Sequence, residues 1–255
     1  MNDLQIKNQF GAETGSSPGR LLLVLGWKGL VCLVAVLLLC LAAVAPVFAH
    51  GVAAADAQFL QQSSGQQLLP FVYLGAKHMV TGYDHLLFLL GVVFFLYRMK
   101  EVSIYVTLFA VGHSTTLLYG VLSGTQFNPY IIDAIIGLSV AYKALDNLGA
   151  FRRWFGVQPN IKAAVLLFGF FHGFGLATKL QGFSLSADGL VANILAFNVG
   201  VELGQLLALA AILILINFWR HNDGFARQAV TANVLLMSAG FMLIGFQLTG
   251  YFTNI

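Results

Sequence analysis

The chain has very little of what a water-soluble protein displays at its surface. Only 9% of its 255 residues are charged, against about 25% in an ordinary soluble domain. So few solvated groups cannot cover a globule of this size, which excludes a soluble enzyme, a disordered chain and a coiled coil together. Cysteine is scarce too. Cys32 and Cys40 lie in one apolar run, roughly 12 Å apart if it is helical, too far for a disulfide between them. Thiolate ligation, redox switching and a cysteine nucleophile are therefore poor readings. No dense basic run occurs, and a net charge of +3 gives no reason to expect a nucleic-acid partner. No phosphate-binding loop is present either: Gly169-x3-Gly173-x-Gly175 lies inside an apolar segment, not after a strand. What the chain has in abundance is hydrophobic residues, 58% of the total, with a mean hydropathy of +0.83. It reads as a polytopic membrane protein whose main partner is the lipid bilayer.

The expected fold is all-α, a membrane helix bundle of six transmembrane helices after an N-terminal signal-like or anchor helix. Residues 1–49 comprise a polar cytoplasmic tail and an apolar segment, Leu21 to Ala49. Arg20 and Lys28 precede the core of that segment, and Val47 and Ala49 stand before His50, so it resembles a secretory signal cleaved after Ala49. An uncleaved anchor is the alternative. Residues 50–67 then form an extracytoplasmic tail, and residues 68–252 the six-helix domain. Spans are expected near 68–97, 102–122, 130–148, 161–181, 189–219 and 229–251, each long enough to cross about 30 Å of hydrocarbon. Arg98, Lys100, Arg152, Arg153, Lys162, Arg220 and Arg227 flank alternate connections, while 123–129 and 181–188 carry no Lys or Arg. By the positive-inside rule, a multi-pass protein of a bacterial-type inner membrane is expected, with both mature ends extracytoplasmic.

The polar residues inside these spans need a separate reason, because ionisable groups at membrane depth are costly and usually face a wet or interior path. His78, His85, His113 and His172 all fall within spans. Asp84 precedes His85, and Glu202 lies mid-span, flanked at helical spacing by Asn198 and Gln205. His78 and His85 would be about 10.5 Å apart on a regular helix, too far to share a metal ion at 2.0–2.2 Å unless the helix opens, and Gly82 is where it would open. Otherwise they mark successive stations of a path. Asp84 is a candidate for orienting an imidazole through its second nitrogen. Structural interhelical hydrogen bonds are the competing reading of each histidine, and close helix packing that of Gly173, Gly200 and Gly204.

Asp133 is either part of an outer vestibule or an interfacial carboxylate. Lys143 and Asp146 are expected to pair locally, Ser114, Thr115 and Thr116 to bond back to their helix, and Lys77 to snorkel outward. Leu108-Phe109-x3-His113-Ser114 and Leu167-Phe168-x3-His172-Gly173 form a faint echo of the kind parallel repeats produce.

Four strings, His78-x3-Gly82-x-Asp84-His85, Gly112-His113-Ser114, Phe168-Gly169-x2-His172-Gly173-x-Gly175 and Asn198-x-Gly200-x-Glu202-x-Gly204-Gln205, resemble the HupE/UreJ family of hydrogenase and urease accessory membrane proteins. The resemblance covers roughly 68–252. It implies a small nickel or cobalt permease supplying a metalloenzyme maturation system, with the functional string on His78, Asp84 and His85. Phe174-Gly175-Leu176-Ala177 follows His172 where the nickel-associated branch has a second histidine, so the chain is more similar to the family's second branch.

The leading expectation is a membrane permease or facilitator for a divalent transition metal. Nickel or cobalt comes first and copper or zinc are alternatives, since neutral imidazole suits all four. The metal ligands would be His78, Asp84, His85, His113, His172 and Glu202, supported by Asn198, Gln205, Gly82 and Gly173. No tightly bound cofactor is expected. The alternatives are an intramembrane metal-dependent enzyme with Glu202 as general base, a haem protein with His113 and His172 as axial ligands, and an assembly subunit.

Overall fold

A computed structural model describes residues 54–183 and 186–253. The signal-like segment, Cys32, Cys40 and His50 lie outside the described residues. Among those described there are helices and no strands: α1 Ala54–Gln62, α2 Leu68–Thr81, α3 Tyr83–Val93, α4 Met99–Ser123, α5 Pro129–Asn147, α6 Ala150–Phe155, α7 Ile161–Gln181, α8 Leu190–Arg220 and α9 Phe225–Thr253.

Four of these, α4, α7, α8 and α9, are long and apolar enough to cross a membrane. The other two expected spans fall short for identifiable reasons. The segment from residue 68 is cut at Gly82 into helices of 14 and 11 residues. Helix α5 carries Asp133, Lys143 and Asp146 within 19 residues. The stretch read as a tail, 50–67, contains α1. Leu60 of α1 is buried, Phe59 meets Phe71 at 6.2 Å, and Asp56 pairs with Lys77 at 2.7 Å. Lys77 therefore reaches a partner in α1 instead of simply snorkelling.

The long helices associate in pairs, α2 with α8, α4 with α7 and α5 with α9. Their contacts give the directions. Gly200 and Gly204 lie against the α2 backbone at Val72 and Ala76, so α2 and α8 run parallel. Gly169 lies against Phe109 and Gly120 against Ala177, so α4 and α7 are parallel as well. Gly240 meets Ala141 while Gly250 meets Tyr130, which makes α5 and α9 antiparallel. The two echoing strings thus sit side by side on parallel helices.

Helix α3 is the centre. Its sequence, YDHLLFLLGVV, is apolar on every side after the first turn, and a helix of that kind belongs in a core. Every residue from Leu87 to Val93 is buried. Outside, α8 exposes Leu203, Leu206, Leu207, Ile214 and Leu215, an apolar exterior suited to lipid.

At the end of α3, Arg220 Nη2 donates to the carbonyls of Val93 and Phe94 at 3.0 and 2.7 Å. Nearby, Lys143 donates to Asp146 at 2.6 Å, the expected local pair. Asn147 ties this pair to the Gly91 carbonyl at 2.9 Å and to Asn233 at 2.8 Å, so α3, α5 and α9 are joined.

Candidate functional site

The chain between α2 and α3 opens at Gly82. Its N–H donates to the His78 carbonyl at 2.9 Å and ends α2, while its own carbonyl accepts from Leu86 at 3.1 Å and starts α3. Gly82 is extended, with φ −72° and ψ 99°. A side chain there would crowd the site: a Cβ would come within 2.9 Å of His85 Nδ1 and 3.2 Å of Asp84 Oδ1. The break brings the His78 and His85 rings to 5.1 Å between centroids, about half the separation that a continuous helix imposes.

His85 is the hub. Its ring stands 5.0 Å from that of His172 on α7 and 5.8 Å from that of His113 on α4. His78, His113 and His172 therefore all meet around His85. Phe88 and Phe109 close the cluster, 5.5 and 5.0 Å from the His172 ring. His85, His113 and His172 are 3%, 0% and 1% exposed, so water does not satisfy them freely. Gly173 lets α7 approach: a Cβ there would collide with the His113 carbonyl and Thr116 Oγ1, each 2.2 Å away. Thr115 and Thr116 bond back to Val111 and Gly112 as expected, whereas the buried Ser114 Oγ does not and has no hydrogen-bond partner among the described residues; Thr116 also donates to the Phe170 carbonyl at 2.8 Å.

The tautomers follow from the acceptors. His85 Nδ1 lies 3.1 Å from Asp84 Oδ1, and a carboxylate only accepts, so Nδ1 carries the proton and Nε2 keeps its lone pair. Asp84 thus orients the ring of its neighbour, in the manner of partners that stand behind metal-ligating imidazoles. His172 Nδ1 donates in the same way to the Phe168 carbonyl at 2.8 Å, which again leaves Nε2 as the basic nitrogen. His85 Nε2 and both nitrogens of His113 are buried without a hydrogen-bond partner among the described residues. Buried polar atoms are rarely left so. Even so, no three His, Cys, Asp or Glu side chains among the described residues stand ready to hold a metal ion. The donors are gathered but not closed into a cage.

The α8 residues join this cluster only in part. Asn198 and Gln205 are buried, and Gln205 Nε2 reaches the Val106 carbonyl at 3.4 Å, which links α8 to α4. Glu202 is exposed and is not among the groups around His85, contrary to the expectation of a buried carboxylate on a shared face. The reason lies in helix phase. At 100° per residue, Glu202 points about 40° away from Asn198, whereas Gln205 returns to within about 20°. That small rotation carries it off the packed face. It also lies 18 residues before Arg220 on a 31-residue helix, about 27 Å from that end. The metalloenzyme reading thereby loses its general base.

One pair escaped the sequence reading. Lys179 Nζ sits 2.9 Å from Oδ1 of Asp133, with side-chain exposures of 21% and 6%. A lysine just inside the end of an expected span was the available signal.

No curated protein and no solved structure matches the chain. A family model described as HupE / UreJ protein matches residues 54–255, and with nearly four-fifths of its length so covered the chain belongs to the HupE/UreJ family.

Proposed function

We propose that the protein is a permease or facilitator for a divalent transition metal, nickel or cobalt first, which passes the ion across a bacterial-type inner membrane through the histidine cluster. The observation that carries this reading is the convergence of His78, His113 and His172 on His85 at the Gly82 break, with the Nε2 of His85 and both nitrogens of His113 buried. Imidazole is a ligand for these ions. A loose set of donors binds weakly enough to release the ion again, as conduction demands. The buried Asp84 carboxylate offsets part of the ion's charge.

Six crossings are the reading that accommodates the helix directions. If α2 and α3 count as one broken span and α5 as a charged one, alternating crossings make the first and fifth parallel, the second and fourth parallel, and the third and sixth antiparallel. Those are the directions of the three helix pairs. A broken helix lining a polar site is a familiar element of transporters. Arg98, Lys100, Arg152, Arg153, Lys162 and Arg227 are all exposed around connections that meet at the Arg220 end, which supports a cytoplasmic assignment for that end. In this frame both mature termini are extracytoplasmic, Glu202 lies near the outer boundary, and the ion delivered inside supplies a metalloenzyme maturation system.

The test is uptake of Ni²⁺ and Co²⁺ by proteoliposomes. Wild-type protein is expected to pass at least one of them, and His85→Ala to abolish passage while folding normally. Equal flux in both proteins removes the cluster from the mechanism.

A further inference from the structure

The histidine path leaves one buried carboxylate without a role. Asp133 lies in the second turn of α5, and its ion-pair partner is the Lys179 ammonium at 2.9 Å. Among the described residues the Lys179 side chain makes no other hydrogen bond or ion pair. His172 and Lys179 are seven residues apart on α7, so they share one helix face, with Lys179 about 10.5 Å farther from the Arg220 end. Between them Gly175 faces the same helix: a Cβ there would stand 3.0 and 3.1 Å from Ile136 and Ile132 and 3.7 Å from Asp133 Oδ1. A carboxylate and an ammonium therefore stand about two turns beyond the histidines on the side opposite the arginine-rich end.

The other two lysine–aspartate pairs among the described residues are of different kinds. Lys143 and Asp146 are embedded in a network with Asn147, Gln158 and Asn233, which ties helices together and leaves neither group available. Lys77 and Asp56 join α1 to α2. The Lys179 side chain, one-fifth exposed, hangs on a flexible stem whose ammonium is well solvated, so it can withdraw to water.

We propose that Asp133 is a cation station at the outer approach to the histidine cluster, occupied by the tethered Lys179 ammonium until a divalent metal ion displaces it. This rests on the permease reading. A carboxylate so little exposed requires a compensating cation. The ammonium supplies it at rest, and an arriving divalent ion supplies it with twice the charge. The two compete for the carboxylate, since they repel at contact distance. Each ion that enters therefore exchanges with Lys179 before it reaches His172 and His85.

The experiment measures initial Co²⁺ uptake into proteoliposomes against external Co²⁺ concentration. Lys179→Gln removes the competitor and is expected to lower the half-saturating concentration about tenfold, the order set by loss of a partly buried ion pair. Lys179→Arg keeps a cation and is expected to stay near wild type. Asp133→Asn removes the station and is expected to raise half-saturation at least fivefold, with or without Lys179→Gln. If Asp133→Asn does not fold, the two Lys179 variants decide the matter. Normal wild-type uptake with half-saturation unchanged within twofold in Lys179→Gln overturns the proposal, even if its thermal midpoint falls, and makes the pair a structural strap. Absence of wild-type uptake would instead overturn the permease reading.

Discussion

Replacing Gly82 with alanine probes the feature on which the whole cluster depends. Alanine can adopt φ −72° and ψ 99°, so the backbone itself is not strained by the change. The added Cβ is the problem, at 2.9 Å from His85 Nδ1, 3.0 Å from the His78 carbonyl and 3.2 Å from Asp84 Oδ1. Alanine also favours a helix over glycine by about 1 kcal/mol. Two responses are open to the chain, and both damage the site. If the His85 ring turns away, it gives up its bond to Asp84, a hydrogen bond to a charged group worth about 1.5–3 kcal/mol. If α2 and α3 join into one helix, His78 and His85 move from 5.1 Å apart toward roughly 10.5 Å. Either way, Ni²⁺ or Co²⁺ flux in proteoliposomes is expected to fall by about one to two orders of magnitude, with the protein still monodisperse and its thermal midpoint within a few degrees of wild type. Undiminished flux through a correctly folded Gly82→Ala protein would refute the idea that the break assembles the path.

Other outcomes follow from the same geometry. Asp84→Asn keeps the shape but replaces the carboxylate that holds His85 Nδ1, and about a 10- to 100-fold loss of metal uptake is expected; an unchanged rate in the uptake assay would deny Asp84 that orienting role. Glu202→Gln, at an exposed position, is expected to leave flux within twofold, and a tenfold loss would return Glu202 to the path. Asn233→Leu deprives Asn147 of its acceptor on α9 and is expected to cost about 1–3 kcal/mol of stability, read as a lower thermal midpoint in detergent, with no selective change in half-saturation.

The legible part of the site was its membership. Histidines on three apolar segments are costly enough in a membrane to announce themselves one by one, and the glycine in His78-x3-Gly82-x-Asp84-His85 marked where the helix could open between the two histidines. The residues that were misplaced or missed share a different property, in that their roles depend on what lies opposite. Glu202 has the same spacing relation to Asn198 that a buried partner would have, yet about 40° of helix phase sets it outside. Lys179 looked like the end of a span until Asp133, 46 residues earlier, turned out to be its partner. Residues 54–62 are too polar to read as a buried element, yet Leu60 is buried and Phe59 packs on Phe71 of α2.

By itself the sequence determined the solvent in which this protein lives, the helical class, the membership of the His/Asp cluster and, through seven basic residues, an expectation of orientation. Each of these depends on local composition or spacing along a single helix, which chain connectivity enforces. Only the tertiary structure decided that four histidines on three segments meet around His85, that α4 and α7 lie parallel at Gly169 and Gly173, and that Glu202 stays outside. Those outcomes depend on how helices rotate about their axes and which faces they bury. Hydrophobicity on nearly every side of α3, α7 and α8 leaves that rotation unmarked in the sequence, and only close packing of backbone against backbone selects it.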